Sequence, residues 1–226
     1  MINDYSPVEI LTLLPLIILS LTVHEHAHAR TAWSFGDSTA RDNGRMTLNP
    51  LAHLDLIGTL AMIFAGFGWA KPVPVNPFNL HPVRLGNIAV SLAGPASNLL
   101  LAVVSLLLMG GVTAARTHGL VADNIYLPIY QTLFNLARIN IVLCVFNLVP
   151  LYPLDGHHVL GELLPHNKGQ EYMRWQLLYG RVFLIALLVG PILLARVTNN
   201  DDFPNPLTML YNYTDNTINT IMRAVV

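Results

Sequence analysis

The sequence predicts an all-α protein that crosses a membrane several times, with about four full transmembrane helices. Hydrophobic residues make up 53% of the 226 residues and charged residues only 11%, whereas a soluble domain carries about a quarter charged residues. The apolar residues are concentrated in runs long enough to cross or enter a bilayer. The net charge of −1 and the lack of a basic block argue against a nucleic-acid partner, and the single cysteine, Cys144, excludes an internal disulfide bond.

The first predicted span covers residues 10–33 and ends in the most informative motif of the chain. Its first fourteen residues, 10–23, carry no charge. Fourteen helical residues are too few to cross a hydrocarbon core of about 30 Å, so the residues that follow must complete the crossing. Those residues, 24–28, read His-Glu-His-Ala-His and match the pattern H-E-x-x-H.

The chemistry of this motif follows from helical spacing. His24 and His28 are four residues apart and share a helix face, so both can ligate one metal ion. Glu25 lies close enough to take a proton from a water molecule at that metal. Imidazoles and a carboxylate are costly beside lipid and usually serve a function there. The alternative is a set of three structural histidines with an unrelated glutamate at a membrane boundary, and His26, which points away, is a weak ligand candidate.

Two shorter features follow the first span. Asn43-Gly44 lies between short strand-compatible runs, which predicts a small β-hairpin over residues 39–48 with an open edge that could bind an extended peptide. An ordinary surface turn is the alternative. Residues 57–70 are uncharged but only fourteen long, which favours a re-entrant segment over a full span.

Three further spans are predicted, at residues 85–115, 127–149 and 173–196. Arg138 lies inside the second of these, and we expect it to find a partner or to line a polar cavity. The polar tail, residues 198–226, predicts a short surface helix without a catalytic role.

Asp155 follows the span 127–149 on an interrupted stretch of backbone. Pro150 and Pro153 forbid regular helix there, and irregular backbone at membrane depth is tolerated only when it is buried in protein or lines a cavity. Asp155 is therefore a candidate third metal ligand. The alternative is a solvated aspartate that caps a helix over residues 156–164. The weaker candidates nearby are His157, His158 and Glu162.

The distribution of charges predicts the topology. If residues 57–70 enter and leave on one side, the loops at 36–84 and 150–172 share that side of the membrane. The basic residues on that side are Arg30, Arg41, Arg45, Lys71, Arg84, Lys168, Arg174 and Arg181, and those on the other side are Arg116, Arg196 and Arg223. The positive-inside rule makes the richer side cytoplasmic, and the same topology puts the motif at 24–28 and Asp155 at one membrane face.

The ordered set of motifs resembles the site-2 protease family of intramembrane zinc metalloproteases. The resemblance covers about residues 13–164. Its motifs are His24-Glu25-x-x-His28, Gly44-Arg45-x-Thr47-Leu48-Asn49-Pro50, Trp69-Ala-Lys71-Pro72-Val-Pro-Val-Asn-Pro77, Ala93-Gly94-Pro95-x-x-Asn98 and Asn147-x-x-Pro150-x-x-Pro153-x-Asp155-Gly156. The order of these motifs is far more specific than the first motif alone.

The resemblance implies a mechanism and the residues that carry it. One zinc ion per chain would be held by His24, His28 and Asp155, with Glu25 as the catalytic base. Asn147 would assist at the substrate or the oxyanion. The reaction would be cleavage of membrane-spanning protein substrates within or near the bilayer.

The substrate has to unwind locally, because a helix hides its carbonyl groups in internal hydrogen bonds. The predicted hairpin and the proline-rich residues 71–77 are the candidates for receiving it. We therefore take Arg45, Thr47, Asn76 and Asn98 as candidate substrate contacts, with Asn98 also a candidate for a polar path for water.

The expected organisation is a single integral-membrane peptidase domain over residues 1–226, with its core at 10–165. It resembles a minimal form, without the PDZ domain or paired regulatory domains of some relatives. We expect a multi-pass protein of a prokaryotic cell (inner) membrane, with the active site towards the cytoplasm.

Three other classes remain as alternatives. A membrane metal-ion transporter would need a polar path to both faces, whereas the polar groups here gather at one face. An inactive membrane scaffold would have little reason to keep Glu25. A zinc peptidase of the prenyl-protein type would want a glutamate as third ligand on a later helix.

Overall fold

The computed structural model describes residues 7–65, 68–198 and 205–225. These residues are mostly helical, and the chain divides into two compact units, Met1–Leu101 and Ala102–Val226. Parts of three predicted features lie outside the described residues: the start of the chain, residues 66–67 of the expected re-entrant segment, and the tail aspartates Asp201 and Asp202.

Three helices among the described residues are long and apolar enough to cross a membrane. They are the 35-residue helix Val83–Thr117, the 25-residue helix Asp123–Asn147 and the 33-residue helical stretch His166–Thr198. The chain is thus an integral membrane protein, and these helices match the last three predicted spans. The first predicted span corresponds to helix α1, Pro7–Ser34, whose 28 residues extend about 42 Å at 1.5 Å per residue; its crossing stays a prediction.

Helix α1 satisfies its hydroxyl groups internally. The Oγ of Ser20 donates to the carbonyl of Leu16, and Oγ1 of Thr22 donates to the carbonyl of Ile18, both at 2.7 Å. Such bonds to the preceding turn allow polar side chains to lie in an apolar helix without an unsatisfied donor. Helix α1 can therefore carry its polar motif without interruption.

The prediction of a β-hairpin over residues 39–48 is wrong. Residues Thr39–Asp42 form a single helical turn, α2, started by Asp37, whose Oδ1 accepts from the amide of Thr39. Gly44, with φ of +66°, ends the turn as the left-handed residue of a Schellman motif. In that motif Gly44 donates to the carbonyl of Arg41 and Arg45 to that of Ala40.

The Asn43-Gly44 pattern therefore indicated the positive φ of Gly44 correctly, but the prediction that this angle belongs to a hairpin turn was wrong. A left-handed glycine suits a helix terminus as well as a hairpin turn, and here it lies at the end of the helical turn α2. No β-strand is formed in the described ranges, apart from one antiparallel bridge between Leu54 and Ala70.

That bridge encloses the expected re-entrant segment. Helix α3, Leu56–Ala65, has ten residues, or about 15 Å of length. The amide of Lys71 donates to the carbonyl of His53 at 2.8 Å, so the chain leaves and returns at the same place. This geometry fits a re-entrant segment, and entry into the bilayer stays a prediction.

The rest of the first unit packs against the start of the long helix α4, Val83–Thr117. Its buried apolar cluster consists of Ala32, Leu80 and Val90, with Phe35 and Val75 against it. The cluster therefore links the end of α1, the proline-rich residues and the beginning of α4.

The second unit contains the remainder of α4 followed by α5 to α9. These are α5, Asp123–Asn147; α6, Asp155–Leu163; α7, His166–Trp175; α8, Arg181–Thr198, joined to α7 by a π-helical turn at Gln176–Gly180; and α9, Pro206–Val225.

Helix α9 is more than the short surface helix expected for the tail. It has 20 residues, and Ile218 and Met222 are buried with Met109 of α4 and Ala137 of α5. Asp215 pairs with Arg138 at 3.5 Å. Arg138, which lies inside α5 and was predicted to need a partner, thus pairs with a residue of the tail.

Candidate metal centre

Helix α1 brings the two motif histidines together as their spacing predicts. The Nε2 atoms of His24 and His28 lie 3.0 Å apart, and the rings meet edge to face at 80°. Both side chains are buried, with 5% and 8% of their surface exposed. Zinc binds imidazole nitrogen at about 2.0–2.1 Å, so two nitrogens at this separation can both reach one ion.

The other nitrogen of each ring is held by helix α4. Nδ1 of His28 donates to the carbonyl of Val90 at 2.7 Å, and Nδ1 of His24 lies 2.5 Å from Oδ1 of Asn98. Nδ2 of Asn98 donates to the carbonyl of Ser20 at 3.4 Å, so the amide oxygen is the atom that faces His24.

These partners fix the tautomers of both rings. Because an oxygen accepts at each Nδ1, each ring in its neutral form carries its proton on Nδ1 and presents the lone pair of Nε2. Two lone pairs 3.0 Å apart repel unless a cation lies between them. This arrangement fits a metal ion, and protonated outer nitrogens bound to oxygen are the usual support of metal-binding histidines.

Gly94 leaves open space beside both Nε2 atoms. A β-carbon at this position would lie 2.4 Å from Nε2 of His28 and 2.5 Å from Nε2 of His24. Val90, Gly94 and Asn98 are four residues apart in succession, so they share one face of α4. That face consequently offers an oxygen acceptor, a gap and a second acceptor to the histidine pair.

The catalytic base predicted from the motif is held by the proline-rich residues. Oε2 of Glu25 accepts from the amide of Val73 at 2.8 Å, and the Glu25 side chain is half-buried. Glu25 and Val73 both belong to the first unit.

Two predicted substrate contacts also belong to the framework around residues 71–76. Nη2 of Arg45 donates to the carbonyl of Lys71 at 2.6 Å, and Arg45 is buried. The amide of Asn76 donates to Asp37 at 2.8 Å. Each therefore has a structural bond, and their contact with substrate stays a prediction.

The other two candidate substrate contacts, Thr47 and Asn98, also form hydrogen bonds within the protein. The carbonyl of Thr47 accepts from Nε2 of His53 at 2.8 Å. Asn98 is fully buried and bound to His24, which favours a role in orienting that ring.

Asp155 and Asn147 lie in the second unit. Asp155 is the first residue of α6 and is half-buried. The break predicted between α5 and α6 is confirmed, because the residues from Leu148 to Leu154 are not helical. Asn147 ends α5, and its Nδ2 donates to the carbonyl of Leu143 at 3.0 Å.

The loop before Asp155 is tied to the last membrane helix by a side chain that the sequence did not single out. Gln176 donates through Nε2 to the carbonyl of Pro150 at 2.9 Å and accepts from the amide of Tyr152 at 2.8 Å. Gln176 is 1% exposed. A polar side chain in an apolar helix is the signal that could have found it.

His157 follows Asp155 and is buried inside the second unit. Its Nδ1 donates to the carbonyl of Leu154 at 2.5 Å, and its ring packs edge-on against Tyr152. Burial lowers the pKa of His157, with the Leu154 carbonyl and Asp155 acting in the opposite direction. Its ring is therefore held against the loop that precedes α6.

Asp37 is a second residue that the sequence analysis did not identify. It is fully buried and binds the amide of Asn76. Burial alone would raise its pKa, but hydrogen bonds from Thr39, Asn76 and Asn79 together outweigh burial and hold the pKa below its ordinary value. Asp37 follows α1 in a polar loop, where an aspartate is too common to attract notice.

The apolar helices and the paired imidazoles define an integral membrane protein with a buried site suited to a metal ion. The profile of peptidase family M50, the site-2 protease family, matches residues 108–189. YwhC of Bacillus subtilis (strain 168), named as a candidate zinc metalloprotease, is 39% identical over 189 residues, which are 83% of this chain and 85% of that protein.

Rip2 of Mycolicibacterium smegmatis and Rip2 of Mycobacterium tuberculosis (strain H37Rv), also named as candidate zinc metalloproteases, are each 33% identical over 78% of this chain and 66% of their own length. No solved structure matches the chain. The chain therefore belongs to peptidase family M50, the family of membrane metalloproteases that the sequence motifs resemble.

Proposed function

We propose that this chain is an intramembrane zinc metalloprotease that hydrolyses peptide bonds in or near the transmembrane segments of other membrane proteins. The observation that carries the proposal is that the Nε2 atoms of His24 and His28 lie 3.0 Å apart, with both Nδ1 atoms bound to oxygen. Membership of family M50 favours a protease over a metal transporter or an inactive scaffold.

The proposed ligands of one zinc ion per chain are His24, His28 and Asp155. The histidines are supported by their geometry and by the gap at Gly94. Asp155 is supported by its place in the family's Pro-x-x-Pro-x-Asp-Gly motif and by the predicted topology. Two imidazoles and a carboxylate form a ligand set typical of catalytic zinc, which leaves a further position for water or substrate.

Zinc, when bound, supplies a Lewis acid that makes water a better nucleophile and polarises the scissile carbonyl. Glu25 accepts the proton of the attacking water and passes it to the leaving nitrogen. Asn147 donates from its amide to the oxygen on which negative charge develops. Helix α4 keeps both histidines in the tautomer that offers Nε2.

The proposed location is a prokaryotic cell (inner) membrane, with the site towards the cytoplasm. The excess of basic residues on the side of the loops at 36–84 and 150–172 supports this orientation. Its substrates are membrane-spanning proteins, because a site inside the bilayer meets chains that are themselves inserted.

The test is a comparison of the wild type with Glu25→Gln. Each is purified and incubated with candidate single-span membrane proteins in vesicles, and released fragments are identified by mass spectrometry. We expect cleavage by the wild type, none by Glu25→Gln, and equal zinc in both, because the amide replaces the base without touching a proposed ligand. Loss of zinc from Glu25→Gln would show that Glu25 is needed for metal binding and not only as a base. Metal flux into the vesicles that survives the substitution would favour a transporter.

A further inference from the structure

The proline-rich residues Lys71–Asn76, called the strap here, lie beside Glu25. They are neither helical nor part of a strand, and Val73 among them contacts the residue proposed as catalytic base. We propose that the strap is a positioning element for Glu25 and acts through the backbone amide of Val73. This inference rests on the proposed function of Glu25.

Between its two prolines the strap has one backbone amide, that of Val73. Pro72 and Pro74 have no N–H, so Val73 is the donor between them. Its amide lies 2.8 Å from Oε2 of Glu25, an ordinary length for a hydrogen bond to a carboxylate. Because Pro74 follows Val73, the α region is disfavoured at Val73 and extended conformations are favoured. The donor is therefore fixed at little entropic cost.

The strap is anchored just before this contact. Arg45 donates to the carbonyl of Lys71 at 2.6 Å, and the amide of Lys71 donates to the carbonyl of His53 at 2.8 Å. Arg45 and His53 are buried, at 8% and 1% exposure. A buried guanidinium bound to a backbone carbonyl is costly to displace, so this end of the strap is rigid.

A second anchor follows the contact. Oδ2 of Asp37 accepts from the amide of Asn76 at 2.8 Å, and Oδ1 accepts from the side chain of Asn79 at 3.0 Å. Between the contact and this anchor, Val75 packs against the cluster of Ala32, Leu80 and Val90. Glu25 is thus held by a segment fixed on both sides.

A base on a long side chain needs such a contact. Glutamate has three rotatable side-chain bonds, and general-base catalysis requires its oxygen within hydrogen-bond reach of the water. The Val73 amide takes one acceptor position of Oε2 and restricts the carboxylate, so that its other acceptor positions, those of Oε1 included, are oriented to accept the proton. A displacement of about 1 Å can lower a rate by about 100-fold, which sets the expected scale of the effect.

The experiment compares Val73→Pro with Val73→Ala. Proline removes the N–H at this position, whereas alanine shortens the side chain and keeps the donor. The effect of the donor is the ratio between the two variants, measured as kcat and KM on the same substrate with zinc per chain determined in each. We expect kcat of Val73→Pro to be about 10- to 100-fold below that of Val73→Ala, with equal KM and equal zinc.

Three results would overturn the inference. Equal kcat in the two variants would show that the donor is not needed. A higher kcat in Val73→Pro would show that the strap blocks Glu25 rather than positions it. Loss of zinc or of thermal stability in Val73→Pro alone would show a merely structural role.

A second replacement avoids any effect of proline on folding. Exchange of the Val73 amide for an ester keeps the side chain and removes only the N–H, and it should lower kcat as Val73→Pro does; unchanged kcat would reject the inference. The wild type and Glu25→Gln are run beside these variants. If the wild type cleaves and Glu25→Gln does not, the proposed function stands whatever the result at Val73. If neither cleaves, the proposed function fails, and the role of the strap with it.

Discussion

Substitution of Gly94 by alanine is a severe test of the metal centre, because the fold leaves no room for a single methyl group there. The added carbon would lie 2.4 Å from Nε2 of His28 and 2.5 Å from Nε2 of His24, about 1 Å inside the 3.4 Å at which ordinary contact begins. The methyl group would occupy the space in front of both nitrogens, so neither could keep its present position towards a shared ion.

The expected effect is a loss of zinc affinity of at least about 100-fold, or about 2.7 kcal/mol at 1.36 kcal/mol per tenfold. Alanine is the better helix former by about 1 kcal/mol, so propensity alone would make the variant more stable. We therefore expect a folded protein that has lost its metal. Zinc per chain is measured by elemental analysis, and affinity by competition with a chelator.

Gly111 provides a matched control on the same helix. A β-carbon there meets nothing within 4 Å, so Gly111→Ala makes the same chemical change in α4 without touching the histidines. It should bind zinc as the wild type does. Zinc binding by Gly94→Ala at wild-type affinity would refute the placement of the ion between His24 and His28.

Two further predictions concern single side chains. Asn98→Leu removes the acceptor that fixes His24 and should lower zinc affinity by about 10- to 100-fold, whereas Asn98→Asp keeps an acceptor and should retain zinc; equal affinity in both variants would contradict the role of Asn98. Asp37 has a folded pKa below its ordinary value of about 3.9, so its stabilising effect is complete above that value and is lost as pH falls through the folded pKa. The stability difference between the wild type and Asp37→Asn, from thermal unfolding, should accordingly be constant near neutral pH and shrink below about pH 4; a difference that grows towards acid would contradict this sign.

The local part of the metal centre could be predicted from the sequence, because helical spacing alone determines it. His24 and His28 must share a face if residues 24–28 are helical. Pro150 and Pro153 must interrupt a helix, and Asp155 follows them. Each of these inferences needs only the chain's own backbone geometry.

Interactions between distant segments could not be predicted in the same way. Asn98 is 74 residues from His24, and no periodicity reveals that its amide oxygen meets that ring. Arg138 was expected to need a partner, but the identity of Asp215 depends on how α9 packs. The sequence shows that a buried polar group must be satisfied, and only the fold shows by which residue.

The error at Asn43-Gly44 has a different origin. Asparagine-glycine favours positive φ in hairpins and at helix ends alike. Here the glycine ends a helical turn, and Asp37, which precedes that turn, accepts from the amide of Thr39 and also anchors the strap. A short signal of this kind predicts a backbone angle more reliably than it predicts the element that uses the angle.

The measurement that tests the central claim most directly is zinc per chain in the purified wild type and in variants of each proposed ligand. We predict about one zinc per chain in the wild type and in Glu25→Gln, and almost none in His24→Ala, His28→Ala or Asp155→Ala. One zinc per chain in Asp155→Ala would show that Asp155 is not the third ligand. One zinc per chain in either histidine variant would contradict the metal centre itself.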